Sequence, residues 1–439
     1  MFDKKIIITG AGFTGLSAAL FLAKRGAKVT VIEADKSPGG LAGTFDFSDG
    51  VRLEKFYHHW FTHDVHIVDL IQEMGMNSKI ILLPSLTGMY YNGRIWNLST
   101  PLELLKFKAL PFLDRIRLGL VVLFVRRVKD WKKIEHLSIR EWLEPICGKK
   151  VFSVVWEPLL NSKFSLYAEE ISAVWMWKKL VLRGSTRSFK GKEELAYFKG
   201  GFAKLTEALV DSIRAYGGEV KFNSVVTGVK VKDRKIVALE TNQGLVYGHE
   251  FLFTPALPII SKIFKQSKFN YWLKKLDKIQ YLGNVCLVLR LKKSLSETYW
   301  LNVNDPGFPF VGVIEHTNLD KSGDYGGTHI VYLSRYLPVE DPIWGLNDEQ
   351  YLDFAWKHLK RMFPKVDRSW VIEFKVCRTE YAQPITGKNY SKYIPEKITP
   401  YQNAYLSTMA QIYPEDRGTN YAVRDGRAAG EYLLSRALN

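Results

Sequence analysis

Three glycines and one carboxylate near the N-terminus have the types and spacing for binding phosphates and a ribose. They are Gly10, Gly12 and Gly15, in Gly10-Ala11-Gly12-Phe13-Thr14-Gly15, and Glu33, 21 residues beyond Gly12. In such a loop the first glycine permits a tight turn and the second lets the backbone approach a pyrophosphate. The third lets a helix pack closely on a strand. The helix N-terminus then offers free N–H groups and positive dipole to the phosphates, and Glu33 can accept hydrogen bonds from a ribose. A second cluster is Glu54-Lys55-Phe56-Tyr57-His58-His59-Trp60-Phe61-Thr62-His63-Asp64. Its adjacent imidazoles, His58 and His59, can move protons near neutral pH.

The elements that must position these groups are legible around them. The run KKIIIT at 4–9 suits a buried parallel strand, and Leu16, Ala19, Leu20 and Ala23 recur at helical spacing after the glycine loop. Gly26 ends that helix, and Lys28-Val29-Thr30-Val31-Ile32 returns as a second strand running into Glu33. This strand–loop–helix–strand–acid unit predicts a dinucleotide site. The charge of Glu33 opposes a 2′-phosphate and so argues against NADP; plain NAD binding is the alternative to a flavin.

Beyond Glu33 stands Asp35-Lys36-Ser37-Pro38-Gly39-Gly40-Leu41-Ala42-Gly43-Thr44. This extension resembles the FAD-binding fingerprint of glutathione-reductase-like flavoproteins. More narrowly, it resembles the branch that holds amine oxidases, protoporphyrinogen oxidases and phytoene desaturases, with UDP-galactopyranose mutases as a weaker likeness. Residues 197–229, YFKGGFAKLTEALVDSIRAYGGEVKFNSVVTGV, resemble that branch's second cofactor segment, and 246–258 the strand and Thr-Pro turn leaving it. The third segment runs from Asn403 through Asp416-Arg417-Gly418-Thr419-Asn420-Tyr421-Ala422-Val423-Arg424-Asp425-Gly426.

The resemblance implies FAD contacts from Gly10, Ala11, Gly12, Phe13, Thr14, Gly15, Glu33, Ala34, Gly40 and Leu41, and from the backbone of Val226. Gly418, Tyr421, Ala422 and Val423 would open a last helix aimed at the flavin N1 and C2 oxygen. The family often has an acidic residue ahead of that helix to hold the ribityl chain. Here Met409-Ala410-Gln411 stands in its place, with Gln411 or Asp416 as substitutes. The implied fold is α/β: a three-layer ββα, Rossmann-like FAD-binding domain at 1–50, 195–260 and 400–439, with an inserted mixed α+β substrate domain. The insertion occupies 51–194, mainly helical over 101–185, and 261–399. The latter reads as strands at 283–291, 310–314 and 329–334, then a helix at 347–362.

A flavin carries hydride chemistry at N5, so the protein must bind, orient and handle protons. His58 and His59 match the glycine-histidine-phenylalanine-histidine-threonine stretch of the mutases, where a histidine lies beside the isoalloxazine. Lys163, in Trp156-Glu157-Pro158-Leu159-Leu160-Asn161-Ser162-Lys163-Phe164, is a candidate for the lysine that some flavin amine oxidases keep near N5. Trp175, Trp177, Arg183 and Arg187, and separately Arg378, Tyr381 and Tyr390, are softer candidates for a substrate pocket. No Ser-His-Asp or metal-ligand spacing is present. The expected activity is hydride transfer from a C–N or C–C bond of a small or lipophilic substrate to flavin N5. The alternatives are a mutase-like, non-redox reaction on a nucleotide-sugar and a flavin-binding protein without turnover.

The remaining composition bounds partners and compartment. The 439 residues are 46 % hydrophobic, enough for a large core. A net charge of +17, from 62 basic against 45 acidic residues, attracts anions. Much of it flanks an apolar stretch within KFKALPFLDRIRLGLVVLFVRRVKDWKK at 106–133. That segment reads either as a core helix with a basic end or as a peripheral contact, in which Leu120, Leu123 and Phe124 enter the headgroup region of an anionic membrane. No nucleic-acid recognition motif accompanies the charge. Cys147, Cys286 and Cys377 lie far apart with no C-x-x-C spacing, and none follows Cys377. A reducing compartment and no disulfide framework are therefore expected; some amine oxidases link FAD to a cysteine near the C-terminus, and with none there the resemblance implies non-covalent FAD. No signal peptide or membrane-spanning run is read, which places the chain in the cytoplasm or peripherally on the inner face of a membrane. Oligomeric state is left open.

Overall fold

Buried apolar runs build the central sheet of the computed structural model, which describes residues 4–98, 100–183, 194–321 and 325–438. Its five parallel strands lie in the order Glu219–Lys221, Lys28–Ile32, Lys5–Thr9, Glu250–Phe253, Ala404–Leu406. Ile6, Ile7, Ile8, Val31, Phe251, Leu252 and Phe253 are completely buried. Such continuous apolar strands suit a parallel sheet covered on both faces.

The helices, in chain order, are α1 (Phe13–Ala23), α2 (Val65–Glu73), α3 (Pro101–Leu105), α4 (Phe112–Val125), α5 (Ile139–Cys147), α6 (Lys149–Val151) and α7 (Glu157–Phe164). They continue with α8 (Ala173–Arg183), α9 (Gly201–Ala215), α10 (Leu257–Ile263), α11 (Asn270–Leu276), α12 (Asp348–Met362) and α13 (Thr419–Leu438). On one face of the parallel sheet, Leu16 and Leu20 of α1, Leu205 and Leu209 of α9 and Val423 and Leu433 of α13 share a core with Ile6, Ile8 and Leu252. On the other face, Ile236 and Leu239 pack on Ile7, Phe251 and Phe253. They come from an antiparallel three-stranded sheet, Val226–Lys232, Lys235–Thr241 and Gly244–Tyr247. These are the expected three layers.

A seven-stranded sheet runs Val371–Pro384, Tyr281–Leu291, His329–Leu337, Gly312–Glu315, Trp300–Val303, Thr87–Tyr91, Arg94–Asn97. It contains the strands read at 283–291, 310–314 and 329–334. The helix read at 347–362 is α12, opened by a reciprocal cap between Asn347 and Gln350. Helices α4 to α8 gather the core that holds Phe107, Val121, Trp142, Phe152, Phe164 and Trp175. Met89 and Tyr336 of the seven-stranded sheet join that core. Cys286 and Cys377, distant in sequence, face each other across adjacent antiparallel strands, both as buried free thiols.

Candidate functional site

The glycine loop takes the conformation that its residue types impose. Gly10 sits at φ +94°, and its N–H donates to Ile32 O at 2.8 Å. A Cβ on Gly15 would collide with the Gly10 carbonyl. Gly12 is different: a Cβ there would meet nothing within 4 Å. The N-terminus of α1 at Gly12 carries no side-chain cap and no acidic residue in its first turn, which leaves its first N–H groups without a side-chain acceptor. A second loop folds over the first. Gly39 N–H donates to Ala11 O at 2.9 Å, and a Cβ on Gly40 would stand 3.4 Å from Gly12 Cα. This double glycine cradle fits a diphosphate.

Glu33 does more than wait for a ribose. Its carboxylate accepts from Ala11 N–H at 2.6 Å and Asp35 N–H at 2.8 Å, stapling the loop to the strand end. Burial raises its pKa, and those two amides oppose the rise. Ser224 N–H donates to Glu33 O at 2.8 Å, which brings the strand beginning at Val226 toward the same place. Phe13 and Val423 are buried in the core, so only their main chains are left for a ligand.

Helix α13 lies along α1. Gly426 has no room for a Cβ against Thr14 O and Ser17 Oγ, and Gly430 is pressed against Phe21 and Ala18 O. Because 426 meets 14 while 430 meets 18 and 21, the helices run in the same direction. Their positive ends therefore converge. The start of α13 is pinned by Trp60, whose indole donates to Thr419 Oγ1 at 2.7 Å, and by Asn420 Oδ1, which accepts from Ile67 N–H at 3.2 Å.

Near that start the chain collects a charged, aromatic lining from distant segments. Arg417 donates to Tyr336 Oη at 3.0 Å and Gln383 Oε1 at 3.1 Å. Lys163 of α7 holds its ammonium 4.7 Å above the Tyr336 ring and 5.7 Å from those of Phe164 and Trp175. Asp416 pairs with Lys179 of α8 at 2.7 Å. Tyr57, His58, Lys163, Asp416 and Arg417 keep some accessible surface although protein surrounds each of them. Two surface clefts of about 410 and 500 Å³ share none of these residues.

The electrostatics follow from this crowding. Burial lowers the Lys163 ammonium and the His58 imidazole from their ordinary pKa values. Burial alone would raise Tyr336 and Asp416, but the neighbouring cations hold both below their usual ranges. Tyr57 is driven well up by burial, with Tyr336 next. His58 donates Nδ1–H to Phe56 O at 2.6 Å, which leaves Nε2 as its acceptor. His59 bonds Tyr299 Oη through Nδ1 at 2.9 Å and meets Phe61, Tyr299 and Trp300 edge-on.

Several expected residues are engaged elsewhere. Arg378 is tied to Asp348 and Leu346 O, Tyr381 accepts from Lys262, and Tyr390 donates to Ala410 O. The Trp177 indole donates to Val128 O inside the helical core. Arg183 ends α8, and Arg187 lies outside the described residues. Gln411 is committed to Thr408 N–H and Pro395 O, so neither it nor the ion-paired Asp416 stands free for a ribityl chain. Tyr57, Tyr336 and Arg417 were not singled out from the sequence. Arg417 alone had a local signal, its place just before a glycine and a helix start.

A glycine cradle at two converging helix ends, beside an enclosed aromatic lining, defines a flavoprotein of the three-layer α/β class. The family described as flavin containing amine oxidoreductase matches residues 13–434, and the chain belongs to that family; it is an FAD-dependent oxidoreductase. Among curated proteins it is 24 % identical over 433 residues to 15-cis-phytoene desaturase of Arabidopsis thaliana, covering 92 % of this chain and 75 % of that one. Among solved structures it is similar to a putative protoporphyrinogen oxidase from Exiguobacterium sp. 255-15. There the TM-score is 0.77 at 16 % identity, covering 99 % of this chain and 100 % of that one. A reduced UDP-galactopyranose mutase gives 0.77 at 16 %, covering 99 % and 96 %. At such identities the structural likenesses show the fold.

Proposed function

We propose that this chain oxidises a C–C or C–N bond of a small or lipophilic substrate, with non-covalent FAD as hydride acceptor. When bound, FAD supplies an electrophilic N5 that takes the hydride. The observation that carries the reading is a half-buried His58 in the lining beside the cradle, its imidazole held below its ordinary pKa by burial and its Nδ1–H committed to Phe56 O. Its free acceptor, Nε2, takes the proton that a substrate must lose as the hydride leaves. Glycine-loop amides and the first turns of α1 and α13 would hold the phosphates and ring of the cofactor. Tyr57, Trp300 and Trp175 give apolar walls that exclude water, and His59 is steadied by Tyr299. Non-covalent binding is supported by the cysteines, which are all buried and whose thiols burial pushes upward in pKa, Cys147 to about 11 and Cys377 to about 12.

The charge of the lining narrows the substrate. Lys163, Lys179 and Arg417 face one carboxylate, Asp416, which Lys179 already occupies. Two cations remain, so an ammonium substrate is repelled and an anionic or neutral, electron-rich one is favoured. The test is anaerobic bleaching of the holoprotein's flavin by panels of amines, polyprenoids and carboxylate-bearing porphyrinogens. The His58→Asn variant should keep its flavin and bleach about 100-fold more slowly. Bleaching at the wild-type rate would remove His58 from the mechanism. The same two cations favour a second reading, a non-redox reaction on a nucleotide-sugar diphosphate. Turnover that requires prior flavin reduction, without net redox change, would select it.

A further inference from the structure

The segment 106–133 carries a surface that the chemistry above does not use. Helix α4 buries Leu118, Val121 and Val125 against the helical core and exposes Phe112, Leu113, Ile116, Leu120, Leu123 and Phe124. Leu113 is 76 % exposed, Phe112 60 %, Leu120 57 % and Leu123 55 %. At about 100° per residue the six exposed side chains fall within an arc of roughly 120°, opposite the buried three. Helix α3 packs beside α4 and adds exposed Leu102 and Leu105. The turn between them is fixed by Arg115, which donates to Leu110 O and Leu105 O at 2.7 Å each. A contiguous apolar face of this kind marks an interaction site.

Its rim says what covers it. Residues 106–133 hold nine Lys and Arg against two Asp. Lys106, Lys108, Arg117, Arg126, Arg127 and Lys129 are all exposed. Two copies of this chain meeting through the face would bring these cations together. An anionic lipid surface takes up both features, its acyl region receiving the leucines and its headgroups the cations. No helix among the described residues is long and apolar enough to cross a membrane. We infer that the α3–α4 face docks this protein on one leaflet of an anionic membrane, with α4 in the plane of the interface.

The experiment is co-sedimentation of the full-length holoprotein with vesicles of phosphatidylcholine alone or with roughly one-third phosphatidylglycerol. Binding should be about tenfold or more stronger to the anionic vesicles and should weaken as salt is raised. Leu113→Ser/Leu120→Ser should abolish it, and Arg126→Gln/Arg127→Gln should remove its salt dependence. Both pairs alter exposed side chains, and unchanged thermal melts would confirm that they fold. Wild-type protein left in the supernatant with both vesicles would overturn the inference. So would a dimer in light scattering that Leu113→Ser/Leu120→Ser splits, since the face would then join copies of the chain.

Discussion

The cradle and the lining solve the problem of holding a ligand in opposite ways. The cradle uses backbone: Gly10, Gly12, Gly15, Gly39 and Gly40 carry no side chain, and the groups presented are amides at the end of α1. Its one charged side chain, Glu33, is spent on holding the Ala11 and Asp35 amides at the strand end. The lining uses side chains alone, brought from a loop at 57–59, α7, the end of the strand His329–Leu337 and the residues before α13. Backbone presentation tolerates almost any sequence outside the glycines, but a Cβ within them meets either backbone, as at Gly15, or the space meant for the ligand, as at Gly12. Side-chain presentation tolerates substitution structurally and pays for it in chemistry.

The largest test separates two glycines within the cradle. Gly15→Val places a branched side chain into the Gly10 carbonyl, and overpacking against backbone exceeds the ~1–3 kcal/mol of an ordinary core misfit. No folded, yellow protein is expected. Gly12→Ala meets open space. Its apoprotein should melt within a few degrees of the wild-type apoprotein, with FAD affinity down by about 10- to 100-fold for lost phosphate contacts. Equal damage to both apoproteins would show that the space beside Gly12 is not a ligand site.

In the lining, stability and chemistry should come apart. Arg417→Met leaves the Tyr336 hydroxyl and Gln383 Oε1 without their donor. It should cost about 1–3 kcal/mol and slow flavin reduction. Among the described residues Lys163 makes no ion pair or hydrogen bond, only contacts with ring faces. Lys163→Met should therefore leave the melting temperature unchanged or raised, while changing the rate with an anionic substrate by about tenfold or more. A large loss of stability in Lys163→Met would mean that the lysine supports the fold. Smaller again is Glu33→Gln. Its amide keeps one acceptor for the two N–H donors, so FAD affinity should drop about tenfold, the equivalent of ~1.4 kcal/mol.

This contrast also explains what the sequence disclosed. A backbone-built site needs its glycines at fixed spacing between a strand and a helix, so Gly10 to Gly40 and Glu33 are legible in one contiguous stretch. The strands at 281–291 and 329–337 and α12 were equally readable, because burial on a sheet or a helix face writes a period into the chain. The lining wrote none. Tyr336 and Arg417 are 81 residues apart, and nothing near Tyr336 distinguishes it from any aromatic residue on a buried strand. Tyr390 and Trp177 look as promising in sequence, yet their hydrogen bonds go to the carbonyls of Ala410 and Val128. Where a side chain points is decided by the fold as a whole. In α4 the period was visible, but whether the second apolar face met protein or solvent was not.

The last test asks whether every buried ionisable group near this sheet belongs to the site. Glu315 is buried on the strand Gly312–Glu315, and its Oε2 accepts from Leu295 and Ser296 N–H at 3.2 Å. Oε1 has no hydrogen bond; His329 Nδ1 stands 3.6 Å away, and desolvation lowers that imidazole's own pKa. With no firm countercharge, burial pushes the carboxyl up to about 7 from an ordinary 4.5. A raised folded pKa means that the folded state holds the proton more tightly than the unfolded state does. The resulting stability is complete below about pH 4.5 and is lost as pH rises through about 7, roughly 3 kcal/mol in all. Glu315→Gln keeps an acceptor for both amides and cannot ionise. Between pH 5 and 8 the wild-type melting temperature should fall by a few degrees relative to the variant, with flavin reduction unaffected. Parallel melting curves would show that Glu315 is ionised across this range through His329, whereas a changed rate of flavin reduction would bring this end of the sheet into the active site.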